Sequence, residues 1–245
     1  MKKGVKSFVF TFFACVFVCA ALFLATSTLF SVETVEIEGL SALKKKDVLA
    51  QAGLPPYGSN NFFLINSFFI RNKVLKMPYV AKCDVVKTFP GAITIKITER
   101  RVYGYIEDAG FYIYLDNEGR ALDIKEYTEE NLPVAVGLKY VSFKIGETLK
   151  AQDASVFNTL ALLGSLFRSY GLNEYFIRAN INDSSDIRLY LYNIEVAIGG
   201  VSEINDKIRL LKEVLANFQD LESSKGTLDL RTAYKNEAAR FRPSK

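Results

Sequence analysis

Apolar positions gather first at the N-terminus. From Ser7 to Val32 the chain runs 26 residues without an Asp, Glu, Lys or Arg, through Phe8-Val9-Phe10-Thr11-Phe12-Phe13 and on past Leu22-Phe23-Leu24. A helix needs about 20 apolar residues to cross a bilayer core, so the run predicts a single transmembrane helix over 7–32. Lys2, Lys3 and Lys6 precede it, and Glu33, Glu36 and Glu38 follow. Basic flanks stay inside, which makes 1–6 a short cytoplasmic tip and puts the rest of the chain outside. A cleaved signal peptide is the rival reading, with small residues at Ala25, Ser27 and Thr28. Signal peptides have apolar middles of about 7–15 residues, so the length favours a retained anchor.

Beyond the anchor, alternation and helical spacing take turns. Val35-Glu36-Ile37-Glu38-Gly39 predicts a short strand ended by a glycine. Val48, Leu49 and Ala52 predict a helix over 44–52, closed by Gly53 and Pro55-Pro56. A second helix is expected from about Asn66 to Lys76, with Phe69, Ile70, Val74 and Met77 on its inner side, Lys73 laid along the rim of that face and Pro78 at its end. Two strands follow, Val80–Phe89 and Ala92–Arg100, joined by the Pro90-Gly91 turn; Ile93, Ile95 and Ile97 share one face. This order predicts a small α+β module over 33–101, a three-stranded sheet covered on one face by two helices.

From Val102 the pattern becomes β-rich. Strands are expected at Tyr103–Glu107, Phe111–Asp116, Ala121–Ile124 and Leu132–Gly137, with hairpin-style turns at Asp108-Ala109-Gly110 and Asn117-Glu118-Gly119. Val156, Leu160, Leu163, Phe167 and Tyr170 stripe a helix over about 152–170. The strands Ile187–Leu191 and Ile194–Ile198 precede Gly199-Gly200, and Ile204, Ile208, Leu211, Leu215 and Phe218 stripe a helix over about 203–221. Both stripes read as core packing. The last expected strand is Thr227–Arg231, with Leu228 and Leu230 inward and Asp229 and Arg231 outward. The larger mixed α/β, β-rich domain is thus expected over 102–233, with 234–245 as a polar tail.

Charge and chemistry narrow the functions. Once the three anchor lysines are set aside, 28 basic residues face 27 acidic ones, a net charge of +1. That balance argues against a nucleic-acid partner. Cys15 and Cys19 read as small apolar members of the span, leaving Cys83 alone outside it, so no internal disulfide is expected. There is no histidine, which removes Ser-His-Asp and Cys-His catalysis and most catalytic zinc sites. Glycine-rich phosphate cradles are missing as well. Ser41-Ala42-Leu43-Lys44 fits the S-x-x-K string of penicillin-binding proteins, but the S-x-N and K-T-G elements are not there, and Lys225-Gly226-Thr227 has the wrong order. The carboxylate pairs Asp183/Asp186 and Glu129/Glu130 read as solvated loop residues. No catalytic residue, metal, cofactor or small-molecule substrate is expected.

The small module resembles a POTRA domain (β-α-α-β-β) of the kind found in the FtsQ/DivIB bacterial cell-division proteins. The matching residues are Val35-x-Ile37-x-Gly39, Leu64-Ile65-Asn66, Ile70, Pro78-Tyr79-Val80-Ala81, Val85, Phe89-Pro90, Ile93-x-Ile95-x-Ile97 and Glu99-Arg100. Val102 stands where that family has proline. Further on, Tyr114 to Gly119 matches Leu-x-Asp-x-x-Gly, Leu132 to Gly137 matches L-P-x-x-x-G, and Leu228 to Arg231 matches a terminal [VL]-D-L-R. The resemblance implies a non-enzymatic, single-pass divisome scaffold of the cell membrane at the septum. Its partners would be FtsL-like and FtsB/DivIC-like proteins, and it would help control septal peptidoglycan synthesis. The family's partner adds a strand beside the terminal strands, which here implies Leu228, Asp229, Leu230, Arg231, Thr232, Ala233 and Tyr234. Arg231 matches the family's contact arginine, while Thr232 stands where tyrosine is common. A POTRA-bearing transport or assembly protein is the alternative, although only one module is visible.

Overall fold

The structure is a computed structural model describing residues 2–29, 31–54, 61–151, 153–218, 220–232 and 239–244, without the side chains of 2–7 and 23–29. It opens with α1 (Lys2–Leu29). The described side chains of α1, residues 8–22, cover about 22 Å at a rise of ~1.5 Å per residue. Among the described residues no helix is long and apolar enough to cross a membrane. The helix also stops short of the expected end of the span: Ser31 already bridges to Asn61, and Val32 is buried in the core that follows.

The chain divides into two compact units, Met1–Glu99 and Arg100–Lys245. In the first, β1 (Thr34–Glu38), α2 (Lys45–Ala52), α3 (Ser67–Val74), β2 (Val80–Thr88) and β3 (Ala92–Glu99) follow in turn. The sheet order is β1-β3-β2, with β1 parallel and β2 antiparallel to the central β3. Period-2 alternation drives Ile93, Ile95 and Ile97 into the core, where they meet Val48, Leu49 and Ala52 of α2 and Ile70 and Val74 of α3. Asn66 caps α3 by accepting from the Phe68 and Phe69 backbone N–H groups, and Gly53 closes α2 in the left-handed conformation. Phe69, expected on the inner side of α3, is exposed, with the Lys73 ammonium 4.7 Å from its ring centroid. The helix is two turns long, so Ile70 and Val74 alone fill the inner stripe.

The second unit is built on nine strands: β4 (Gly104–Asp108), β5 (Phe111–Leu115), β6 (Ala121–Lys125), β7 (Val134–Ala135), β8 (Arg178–Asn180), β9 (Ile187–Leu191), β10 (Asn193–Gly199), β11 (Lys225–Asp229) and β12 (Arg240–Pro243). Their order is β12-β11-β10-β9-β8-β7-β4-β5-β6. The β4–β5 turn places Ala109 and Gly110 at positive φ, as a two-residue hairpin requires. Two helices, α4 (Ser155–Tyr170) and α5 (Ile204–Ala216), carry the chain between parallel neighbours, β7 to β8 and β10 to β11. Val156, Leu160, Leu163 and Phe167 of α4 join Ile208, Leu211 and Leu215 of α5 in one core. At Gly164 the helix crosses the chain so closely that a Cβ would lie 1.9 Å from the Tyr103 carbonyl oxygen.

The segment expected as a polar tail instead supplies a strand, β12, which pairs antiparallel with β11. Its one apolar side chain, Phe241, packs edge-on against Phe218 at 5.2 Å between ring centroids. One buried-facing residue among arginines shows no alternation long enough to read, and packing makes the strand.

Candidate functional site

The end of the nine-stranded sheet where β11 and β12 lie contains most of the residues expected to hold a partner. Leu228 and Leu230 are buried, and the Leu230 N–H donates to the Ala197 carbonyl at 2.9 Å. Asp229 and Arg231 project from the other face as a two-point ion pair: Arg231 Nε donates to Asp229 Oδ1 at 3.0 Å and Nη2 to Oδ2 at 2.6 Å. The Arg231 backbone N–H donates to the same carboxylate at 3.1 Å. The Arg231 hydrogen bond holds the Asp229 carboxyl down at about 2, against the opposing effect of partial burial. The stem of Arg231 lies over Gly199, whose missing side chain leaves the room. Thr232 is exposed; Ala233 and Tyr234 lie outside the described residues.

Strand β11 is not the sheet edge. Gly226 to Asp229 pair with Pro243 to Arg240, so β12 occupies the side expected to be open. Hydrogen bonding alternates along an antiparallel pair. Ser244 N–H donates to the Lys225 carbonyl at 3.0 Å, which makes Lys225–Ser244 a bonded pair. Counting by twos, Thr227–Arg242 and Asp229–Arg240 are bonded too. Phe241 and Pro243 therefore turn their main-chain polar groups away from β11. Proline has no N–H, so at position 243 the exposed edge loses a donor and the ladder loses none. Among the described residues no strand pairs with this outer side. At the other end of the sheet β6 is partly covered: Ala121 N–H donates to Glu147 O at 3.0 Å, and Gly146 N–H to Ala121 O at 2.7 Å.

In the small unit the singled-out residues are structural. Gly39 has φ +85°, and a Cβ there would lie 1.9 Å from the Ile97 carbonyl oxygen. Pro78 and Tyr79 fill a turn closed by Val80 N–H to Met77 O at 3.0 Å, and Val80 starts β2 buried. Pro90 makes the β2–β3 turn, and Ile95 is fully buried mid-strand. The Glu99 carboxylate accepts from three successive backbone N–H groups, Ser41 at 2.9 Å, Ala42 at 2.7 Å and Leu43 at 3.1 Å. The Ser41–Lys44 string is thus the loop that Glu99 pins. Replacing Glu99 with Ala should cost about 1–2 kcal/mol, because three donors lose a charged acceptor; a chemical-denaturation midpoint unchanged from the parent would contradict this. Arg100 begins the larger unit, donating to the buried Asp116 at 2.7 Å and to Glu118 at 3.2 Å. Asp116 in turn accepts from the Glu118 and Arg120 N–H groups at 2.9 Å.

Comparison with known proteins gives these motifs a context. Residues 30–100 match the model of the POTRA domain, FtsQ-type. The chain is 27% identical to cell division protein DivIB of Clostridium tetani over 80% of this chain and 74% of that protein. It is 21% identical to DivIB of Bacillus subtilis over 95% and 82%, respectively. Against cell division protein FtsQ of Bradyrhizobium diazoefficiens the identity is 24%, covering 76% of this chain and 53% of that one. The chain thus carries an FtsQ-type POTRA domain and is similar along most of its length to FtsQ and DivIB cell-division proteins.

In this chain the carboxylates that could suggest acid–base chemistry each serve the fold. Asp183 accepts from Ser185, Asp186 pairs with Arg188 at 2.9 Å, Glu129 pairs with Lys125, and Glu130 pairs with Arg168 at 2.9 Å. Among the described residues no group of three or more Cys, Asp or Glu is gathered as a metal cradle. Sequence reasoning missed Arg240, Phe241, Arg242 and Pro243 at the edge. The signal available was Phe241 between two arginines ahead of a proline, a short charged strand of the kind that forms sheet edges.

Proposed function

We propose that this chain is a membrane-anchored scaffold of the division machinery that captures an extended segment of a partner on the outer side of β12. The observation that carries this reading is the main chain of Phe241, whose N–H and C=O point away from β11 at the end of a nine-stranded sheet. An added strand finds a donor and an acceptor there without dismantling anything. The Asp229–Arg231 pair lies on the adjoining surface, where it can meet the partner's side chains. The likeness to FtsQ and DivIB proteins supports FtsL-like and FtsB/DivIC-like proteins as the partners and septal peptidoglycan synthesis as the process they regulate. A non-catalytic role accords with the carboxylates' structural duties.

The anchor is read from the charge-free run of Ser7 to Val32, which falls mostly within the 28-residue helix α1. With Lys2, Lys3 and Lys6 inside, residues from Glu33 onward face out of the cytoplasm, 33–101 as the POTRA domain and 102–233 as the start of the β-domain. Arg231→Glu should weaken capture of a DivIC-like ectodomain about tenfold, or about 1.4 kcal/mol. It leaves the fold intact, since exposed pairs are worth only about 0–1 kcal/mol. Calorimetric titration with unchanged affinity would remove Arg231 from the site.

A further inference from the structure

We infer that the tip of the small unit carrying Phe63, Leu64 and Phe89 is a membrane-interface contact, seated among the lipid headgroups of the bilayer that holds α1; this rests on the anchor reading above. The three side chains are 58%, 67% and 65% exposed. Phe63, next in the chain to Leu64, is brought together with Phe89 through Phe62, whose ring centroid lies 5.7 Å from that of Phe63 and 6.4 Å from that of Phe89. Their position along the chain decides what covers them. Ser31, two residues past the end of α1, bridges to Asn61, and Glu33 N–H donates to the Gly91 carbonyl at 2.9 Å. Two residues reach at most about 7 Å, so both aromatic loops are pinned where the chain leaves the helix. A bilayer holding α1 has its headgroup layer at that point, where aromatic rings are favoured. Lys87 supplies a cation at the same place: its ammonium lies 4.4 Å from the Phe62 ring centroid and donates to the Ile65 carbonyl at 3.0 Å. Anionic headgroups complement it. The contact restricts how far the small unit can swing on its anchor.

The chain has no tryptophan, so one introduced tryptophan reports a single position. The full chain is reconstituted in phosphatidylglycerol/phosphatidylethanolamine vesicles whose acyl chains are brominated close to the headgroup. Leu64→Trp and Phe89→Trp are compared with Phe17→Trp in α1 and with Val141→Trp, an 82% exposed site in the larger unit. Quenching of the indole at positions 64 and 89 several-fold stronger than at position 141, with blue-shifted emission, is the expected result. Reporters at 64 and 89 that match position 141 while position 17 is quenched overturn the interface contact and leave the tip to a protein partner. An unquenched reporter at position 17 brings down the anchor reading and this inference together.

Discussion

Ile95→Asp is expected to unfold the small unit while leaving the larger one standing. Ile95 is fully buried at the centre of β3, the middle strand of its sheet, between β1 and β2. A carboxylate there loses its water inside a hydrophobic core that includes Val48 and Val74. An uncompensated buried charge costs about 3–5 kcal/mol. At ~0.05–0.15 kcal/mol per residue, a unit of this size has roughly 4–10 kcal/mol in all. The substitution therefore removes much or all of its stability. Ile95→Val, which keeps the shape of the site, should cost only about 1 kcal/mol. Amide exchange distinguishes the outcomes: protection over Val80–Thr88 and Ala92–Glu99 should vanish in the Asp variant, while that of Ile187–Leu191 stays. Retained protection across β2 and β3 would mean the inward face of β3 is misassigned.

Phe241→Pro should abolish partner capture without removing a hydrogen bond of the β11–β12 ladder, although it gives up the packing of the ring on Phe218. The N–H it removes points outward, so no bond to β11 is lost, just as none is lost at Pro243. The incoming strand, however, is left with an unpaired carbonyl, worth about 1–3 kcal/mol, and meets the proline ring as well. Affinity should fall about ten- to a hundredfold or more. Phe241→Leu retains the outward N–H and an apolar side chain toward Phe218, so its affinity should stay near the parent's. Equal losses in both variants would assign the effect to the ring of Phe241 and not to its main chain.

Much of this molecule can be read from periodicity because burial follows it. Ile93, Ile95 and Ile97, the α4 stripe from Val156 to Phe167, and Leu228 with Leu230 go where spacing of two or of three and four sends them. The Glu99-Arg100 dipeptide is legible as a motif, but its physical sense is not. One residue closes a loop 56–58 positions earlier, and the next ties itself to Asp116. Three features escape for want of length. Arg178–Asn180 (β8) is three residues long and exists because β7 and β9 flank it. The Arg240–Pro243 strand offers one apolar residue. Helix α3 is too short to bury Phe69 along with Ile70 and Val74. At the candidate site, alternation places Asp229 and Arg231 outward, but it cannot say that they clamp each other or that a later strand takes the edge of β11. A sheet edge belongs to pairing, and pairing over distant residues leaves little trace in local pattern.

Amide hydrogen exchange at two neighbouring residues, Phe241 and Arg242, tests the edge most directly, in the full chain with and without an FtsB/DivIC-like ectodomain. Arg242 N–H faces β11 and should be protected in both states; Phe241 N–H faces outward and should become protected only when the partner is bound. A complex that forms while Phe241 continues to exchange freely would contradict capture by strand addition on β12.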